Sequence, residues 1–134
     1  MKKTIMIILG IFVAFIFSGC NSTKLADSFD KATVKASAKQ VIDYMNSGDF
    51  DSVNALVRED GKEILTSDVL SDAVQKTYGK AGSFVEYKAV NIIGQKDKDM
   101  NYAIALVQAK YEKKTVTFTI SFDSNMAVVG IYMK

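Results

Sequence analysis

The sequence predicts an α+β fold in which three helices precede a curved four-stranded antiparallel sheet. Three observations support this prediction. Apolar residues recur at helical spacing through the first part of the domain, alternate with a period of two after Gly82, and are separated by short glycine-containing or charged segments. Because all helical segments come before all strand segments, we expect the helices to cover one face of a single sheet.

The helical part of the domain contains three predicted helices. The first covers about residues 32–47, and its apolar side chains lie on one face: Val34, Ala38, Val41, Ile42 and Met45. A shorter helix is predicted over residues 49–57. Thr66 or Ser67 should cap a third helix that ends at Gly79.

The sheet is predicted from four alternating segments, which cover residues 83–94, 100–112, 115–122 and 126–133. The third is the most regular. One of its faces is apolar and should point into the core, with Val116, Phe118, Ile120 and Phe122. The other face carries Thr115, Thr117, Thr119 and Ser121, which we interpret as a solvated surface, with a homodimer through this sheet face as the alternative.

The N-terminal residues 1–19 have the features of a secretory signal. Lys2 and Lys3 precede an uncharged apolar run at residues 5–17, which is shorter than the roughly 20 residues of a membrane-spanning helix. Phe17-Ser18-Gly19-Cys20 resembles the lipobox of bacterial lipoproteins and contains the only cysteine. We therefore expect lipidation of Cys20 and attachment of the protein, through this membrane lipid, to the extracytoplasmic face of a bacterial cell membrane.

Cleavage before Cys20 would leave 115 of the 134 residues, and the loss of Lys2 and Lys3 would leave 15 basic and 15 acidic side chains. We expect a lipidated tether over residues 20–31, with an extended reach of roughly 35 Å at about 3.3 Å per residue, and one domain over residues 32–134. A neutral domain without a basic patch gives no electrostatic reason to bind nucleic acid.

The composition excludes several kinds of catalytic and metal site. The chain has no histidine and one cysteine, which excludes Ser-His-Asp triads, histidine metal sites and thiolate clusters. Asp97-x-Asp99-x-Asn101 lacks the later glycine and glutamate of a calcium loop and is interpreted as a hairpin turn. Asp49 and Asp51 suit a helix N-terminus better than a catalytic or metal-binding pair. We therefore predict no catalytic residues, no metal and no cofactor.

Four polar side chains among apolar strand residues are the candidates for a binding pocket: Tyr87, Asn91, Tyr102 and Gln108. A few polar groups on apolar walls are typical of a ligand site. Tyrosine is also common on half-buried strands for packing reasons alone, so packing remains the alternative. The pattern does not show which sheet face is the inner one.

Four short motifs resemble the bacterial extracytoplasmic family known as domain of unknown function 3887, over about residues 38–132. They are Asn46-Ser47-Gly48-Asp49-Phe50-Asp51, Leu65-Thr66-Ser67-Asp68-Val69-Leu70, Gly79-Lys80-Ala81-Gly82-Ser83-Phe84 and Val128-Val129-Gly130-Ile131-Tyr132. Members often carry tryptophan near the position of Thr77-Tyr78. The resemblance implies a cone-shaped fold similar to cystatin and nuclear transport factor 2. It supplies no catalytic residues, because the family has no established set.

Three functions fit these observations. The leading hypothesis is a non-enzymatic lipoprotein that binds a small ligand, a peptide or an envelope protein. The alternative is a lyase or isomerase, which would need Glu86 or Asp43 buried beside Tyr87 or Tyr102 as its base. A structural or inhibitory module that acts through its surface is the third, and would need an exposed apolar patch.

Overall fold

The computed structural model describes residues 22–134, so the predicted signal segment and Cys20 lie outside the described residues. The predicted α+β order is confirmed. Three helices precede the main sheet: α1 (Lys31–Asn46), α2 (Phe50–Leu56) and α3 (Ser67–Tyr78), with a single 3-10 turn at Glu59–Gly61. The strands are β1 (Ser22–Thr23), β2 (Phe84–Asp97), β3 (Met100–Tyr111), β4 (Thr115–Phe122) and β5 (Val128–Met133).

Each helix begins at a residue whose side chain accepts a hydrogen bond from the first turn. Asp30 accepts from the Thr33 amide at 3.0 Å, Asp49 from the Ser52 amide at 3.3 Å, and Thr66 from the Val69 amide at 3.3 Å. These bonds satisfy amides that have no partner within the helix itself. Asp49 is thus a helix cap.

The sheet is antiparallel throughout, in the order β1-β2-β3-β4-β5. Its longest pair is the β2–β3 hairpin, which is paired from Phe84 opposite Tyr111 to Asp97 opposite Met100. The turn is therefore shorter than residues 95–99, which separate the two predicted strands. Only residues 98 and 99 remain unpaired, and Lys98 adopts a φ of 57°, as tight hairpin turns require.

The core lies between the three helices and one face of the sheet. All five apolar residues predicted to face inward on α1 are buried, and so are the four on β4. β3 contributes small side chains at this face, namely Ala103, Ala105 and Ala109, with Val107 and Tyr111. These alanines leave room for the helices to approach the sheet.

On the opposite face of the sheet, which we expected to be solvated, Thr115 is exposed and Thr117 and Thr119 are half-buried. Ser121 and the neighbouring Ile104 are buried, so the prediction of a solvated face is wrong at this end of the sheet.

The segment before α1 differs from the extended tether that we expected over residues 20–31. Ser22 and Thr23 pair with Gln95 and Gly94 at the edge of β2. Farther along, Leu25 packs against the core and Phe29 is buried. These apolar side chains gain free energy by leaving water, so the described part of the segment lies on the domain instead of extending from it.

Candidate functional site

A cleft of about 580 Å³ opens at the end of the domain where β2 begins and β3 ends. Its walls come from the C-terminal ends of α1 and α3, the start of α2, the loop before β2, and the last residue of β3. It is lined by Met45, Asn46, Ser47, Gly48, Phe50, Val74, Gln75, Tyr78, Gly79, Gly82, Ser83, Phe84 and Tyr111.

Two glycines with positive φ turn the chain at the edge of this cleft. Gly48, at 78°, directs the chain from α1 into α2, and Gly82, at 85°, directs it into β2. Other residues rarely adopt this backbone conformation. At Gly82, space is also limited, because a Cβ atom there would lie 2.5 Å from Oε1 of Glu112. The mouth of the cleft therefore depends on these two turns.

Asn46 organises the polar part of the cleft wall. Its Oδ1 accepts hydrogen bonds from the hydroxyls of Tyr78, at 3.0 Å, and Tyr111, at 2.5 Å. The three residues come from α1, α3 and β3, so this network joins two helices to the sheet. Since both hydroxyls use the amide oxygen, the two N–H donors of Asn46 are not consumed by the network.

Aromatic rings form the deeper part of the same wall. The ring centroids of Tyr78 and Tyr111 are 4.7 Å apart, and Phe84 lies 5.7 Å from Tyr111 in an edge-on arrangement. Tyr78 also meets the edge of the buried Phe118, at 5.7 Å. Such packing fixes the rings in position, so the wall is formed before any ligand arrives.

Tyr87 lies next to the cleft, behind Phe84, with ring centroids 4.8 Å apart. Its hydroxyl donates to Oδ1 of Asp43 at 2.7 Å and lies 3.2 Å from the carbonyl oxygen of Lys39. The ammonium group of Lys39 is 5.0 Å from the centre of the Tyr87 ring. Tyr87 thus connects β2 to α1, and Asp43, which accepts this hydrogen bond, is exposed to solvent.

Burial raises the pKa of the phenols of Tyr78, Tyr87 and Tyr111 above the ordinary tyrosine value. For Tyr87, the hydrogen bond to Asp43 raises the pKa further. All three hydroxyls therefore stay protonated at neutral pH and act as hydrogen-bond donors. They are suited to binding or to rigid packing, and a phenolate nucleophile or base is not formed here.

The four side chains proposed from the sequence as pocket residues do not converge. Tyr87 points to the inner, helix-covered face of the sheet. Asn91, Tyr102 and Gln108 point to the outer face, because they occupy the positions of β2 and β3 that alternate with the core residues. Only Asn91 and Gln108 are diagonal neighbours across the two strands.

The residues that do meet at the cleft were not singled out as polar candidates from the sequence. The sequence places Tyr78 only at the end of the third predicted helix, and Asn46 only within a family motif. For Tyr111, the sequence indicates only that it belongs to the second predicted strand of the main sheet. Their common feature is position: each lies in the last turn of a helix or at the end of a strand, and these ends meet only in three dimensions.

No group of three or more acidic or cysteine side chains within residues 22–134 is close enough to hold a metal ion. Asp97 and Asp99 flank the tight turn of the β2–β3 hairpin, with Asp97 paired to Met100. Asp51 accepts a hydrogen bond from the Ser67 hydroxyl and so joins α2 to the start of α3. The positions of Asp51, Asp97 and Asp99 are therefore explained by a helix contact and a hairpin turn.

Comparison with known proteins identifies the family of this chain and a solved structure with a similar fold. The family model described as a protein of unknown function (DUF3887) matches residues 38–131. The chain belongs to this family. Every lining residue of the cleft falls inside the matched range. The cleft therefore lies within the part of the chain that matches the family, and β1 precedes that part.

A solved structure shares the fold. It is the NMR structure of a protein from Ruminococcus gnavus ATCC 29149, with a TM-score of 0.74 and 25% sequence identity. The similarity covers 83% of this chain and 96% of that chain. Among curated proteins, none matches this sequence.

Proposed function

We propose that this protein is a non-enzymatic extracytoplasmic lipoprotein, anchored through Cys20, whose domain binds a small ligand without net charge in the cleft. The observation that carries the binding proposal is the composition of the cleft wall. It contains aromatic rings, amides, hydroxyls and glycine backbone, and no Asp, Glu, Lys or Arg.

A neutral wall favours a neutral ligand for a physical reason. A charged ligand would lose part of its hydration on entering the cleft, and no lining side chain carries a charge to replace it. The carboxylate at the rim, Glu112, is exposed to solvent and already accepts a hydrogen bond from the Ser83 amide. A neutral ligand with an apolar body and one amide or hydroxyl can cover Phe50 or Phe84 and hydrogen-bond to Asn46 or Gln75. The match in polarity supports a ligand of this class.

The binding proposal is tested by three ligands that share one ring: benzamide, benzoate and benzylammonium. We expect benzamide to shift the backbone NMR signals of Gly48, Gly79 and Gly82, and the two charged analogues to shift them much less. Equal shifts by all three, or shifts confined to other regions, would refute a selective cleft.

Two tryptophan substitutions provide a matched control for that experiment. Gln75→Trp places a large ring at the cleft wall, and should abolish the shifts caused by benzamide. Lys80→Trp adds the same bulk at an exposed position that does not line the cleft, and should leave them intact. If Lys80→Trp weakens binding as strongly as Gln75→Trp, the ligand is bound elsewhere.

The anchoring proposal has its own test. The N-terminal peptide of the protein from host membranes should carry a diacylglycerol group on Cys20, detected as added mass, and should begin at Cys20. Cys20→Ser should leave the protein unlipidated. Recovery of an unmodified thiol in the membrane-bound protein would refute lipid anchoring.

A lyase or isomerase remains the second candidate, because Asp43 lies beside Tyr87 as that hypothesis requires. The requirement of burial is not met, since Asp43 and Glu86 are both exposed. A carboxylate base of this type needs an apolar enclosure. Deuterium exchange into the methyl group of acetophenone, lost in Asp43→Asn, would support the enzyme. If the native protein exchanges no faster than Asp43→Asn, this reaction is excluded.

The surface-module hypothesis has less support. The large apolar side chains that are exposed among residues 22–134 are Ile64, Val85 and Met100. Val85 and Met100 lie at opposite ends of the β2–β3 hairpin, so they do not form one patch. The homodimer through the threonine-bearing sheet face stays a prediction, for which sedimentation of the purified domain is the direct measurement.

A further inference from the structure

The position of β1 has a consequence for how the protein would sit on a membrane. Ser22 pairs with Gln95, close to the turn of the β2–β3 hairpin. Next to this pair, the backbone of Lys24 and Leu25 crosses directly over Gly94, where a Cβ atom would collide with the Lys24 carbonyl and lie 2.9 Å from Leu25 Cα. The chain is therefore held at this edge by pairing and by a close backbone contact.

Covalent geometry then limits where Cys20 can be. It precedes Ser22 by two residues in the sequence, and two residues of chain reach at most about 7 Å at about 3.6 Å each, so a lipid on Cys20 would be attached within that reach of β1. We infer that a lipid on Cys20 holds the hairpin tip, residues 96–100, against the membrane surface, with the cleft directed away from it. This inference rests on the proposed lipid anchoring.

The composition of the hairpin tip is compatible with this contact. Lys96 and Lys98 balance Asp97 and Asp99, so a zwitterionic or an anionic surface neither repels nor strongly attracts the tip. Met100 is 49% exposed and offers an apolar side chain to the interface. Docking would depend on the anchor and would be insensitive to salt.

The cleft lies at the opposite end of the same hairpin. Phe84 and Tyr111, which line it, form the first pair of β2 and β3, whereas the tip follows the last pair. Thirteen steps along β2 at about 3.3 Å each place the cleft at most about 43 Å from the tip, and the two register shifts in β2 shorten this distance.

Near the cleft, the outer sheet face is polar, with Lys110, Gln108 and Thr117. Nearer the tip, the same face carries Ile104, which is buried, and Ile93 and Leu106, which are half-buried. This face therefore offers little exposed apolar surface on which the domain could lie flat.

The orientation can be measured with single tryptophans, because the chain has none. Met100→Trp and Val85→Trp are a matched pair, since the native side chains are 49% and 50% exposed and lie at the two ends of the hairpin. The full chain is expressed, extracted from host membranes and reconstituted in phosphatidylcholine vesicles with a nitroxide on a fraction of the headgroups. We expect Met100→Trp emission to be at least halved and Val85→Trp emission to stay nearly unchanged.

Two further variants test whether the β1 contact sets the orientation. Gly94→Ala should displace Lys24 and release the N-terminal segment. An insertion of about ten glycine and serine residues between Cys20 and Ser22 should separate the anchor from the domain without touching the fold. Each should reduce the quenching of Met100→Trp, while far-UV circular dichroism reports that the domain remains folded.

Chemical coupling separates this inference from the proposed anchoring. A chain that begins at Cys20 keeps every described helix and strand, and its single thiol can be attached to a maleimide lipid in the same vesicles. An unmodified Cys20 in the host protein would refute natural anchoring only. Equal quenching at positions 85 and 100 in the coupled protein, or no quenching at either, would overturn the inferred orientation.

Discussion

Asn46 shows how much of the candidate site depends on one side chain. It lies in the last turn of α1, and its amide oxygen is shared by two tyrosine hydroxyls from different elements. Because both hydroxyls donate to this one oxygen, the cleft wall has polar atoms without an exposed charge. A single amide thus sets both the polarity and the rigidity of the site.

Replacement of Asn46 by leucine should destabilise the domain by about 2 kcal/mol, because two largely buried hydroxyls would lose their acceptor. Urea unfolding measures this change. The same substitution together with Tyr78→Phe and Tyr111→Phe should recover most of the loss, since no donor is then left without a partner. A triple variant less stable than Asn46→Leu alone would show that the hydroxyls have other acceptors.

At the scale of elements, the turns at Gly48 and Gly82 shape the cleft as much as the helices do. Gly48 and Gly82 both have positive φ, yet their surroundings differ. A Cβ atom at Gly48 would meet nothing within 4 Å. At Gly82 it would displace the side chain of Glu112, which accepts a hydrogen bond from the Ser83 amide at 2.7 Å.

This difference predicts unequal costs for the same substitution. Gly48→Ala should cost about 1 kcal/mol from backbone strain alone. Gly82→Ala should cost about 1 kcal/mol more, because Glu112 must move and its hydrogen bond to Ser83 is lost. Chemical denaturation of both variants measures the two values. Equal losses of stability in the two variants would mean that Glu112 adjusts freely. In that case, adding Glu112→Ala to Gly82→Ala would not change the free energy of unfolding.

For the whole molecule, the raised pKa values of Tyr78, Tyr87 and Tyr111 couple stability to alkaline pH. A pKa raised in the folded state means that the folded protein holds the proton more tightly than the unfolded chain. The stabilisation is complete below the unfolded tyrosine pKa of about 10 and is lost as pH rises above it.

We therefore expect the domain to unfold cooperatively in alkali, with these three tyrosines ionising as it unfolds. Absorbance at 295 nm reports phenolate formation, and far-UV circular dichroism reports the fold. The part of the absorbance change that comes from these three tyrosines should occur at the same pH as the loss of the circular dichroism signal. A variant with Tyr78→Phe, Tyr87→Phe and Tyr111→Phe should retain its structure to higher pH. Complete tyrosine ionisation before any loss of structure would contradict this prediction.

The irregular register of β2 is one reason why the sequence pattern does not indicate the cleft. Register shifts occur between Phe84 and Glu86 and again between Tyr87 and Ala89. Phe84 and Tyr87 therefore share the inner face although they are three residues apart. Strict alternation places Phe84 and Tyr87 on opposite faces and puts Tyr87 on the same face as Asn91, so a period of two does not indicate which β2 residues meet the helices.

The sequence by itself determined the order of three helices and four antiparallel strands, the caps of α2 and α3, and the core faces of α1 and β4. These follow from local periodicity and from side chains that bond to nearby amides. Only the tertiary structure decided which residues of β2 face inward, that residues 22–31 lie on the domain, and that Asn46, Tyr78 and Tyr111 meet. Each of these depends on contacts between distant segments, which local patterns do not encode.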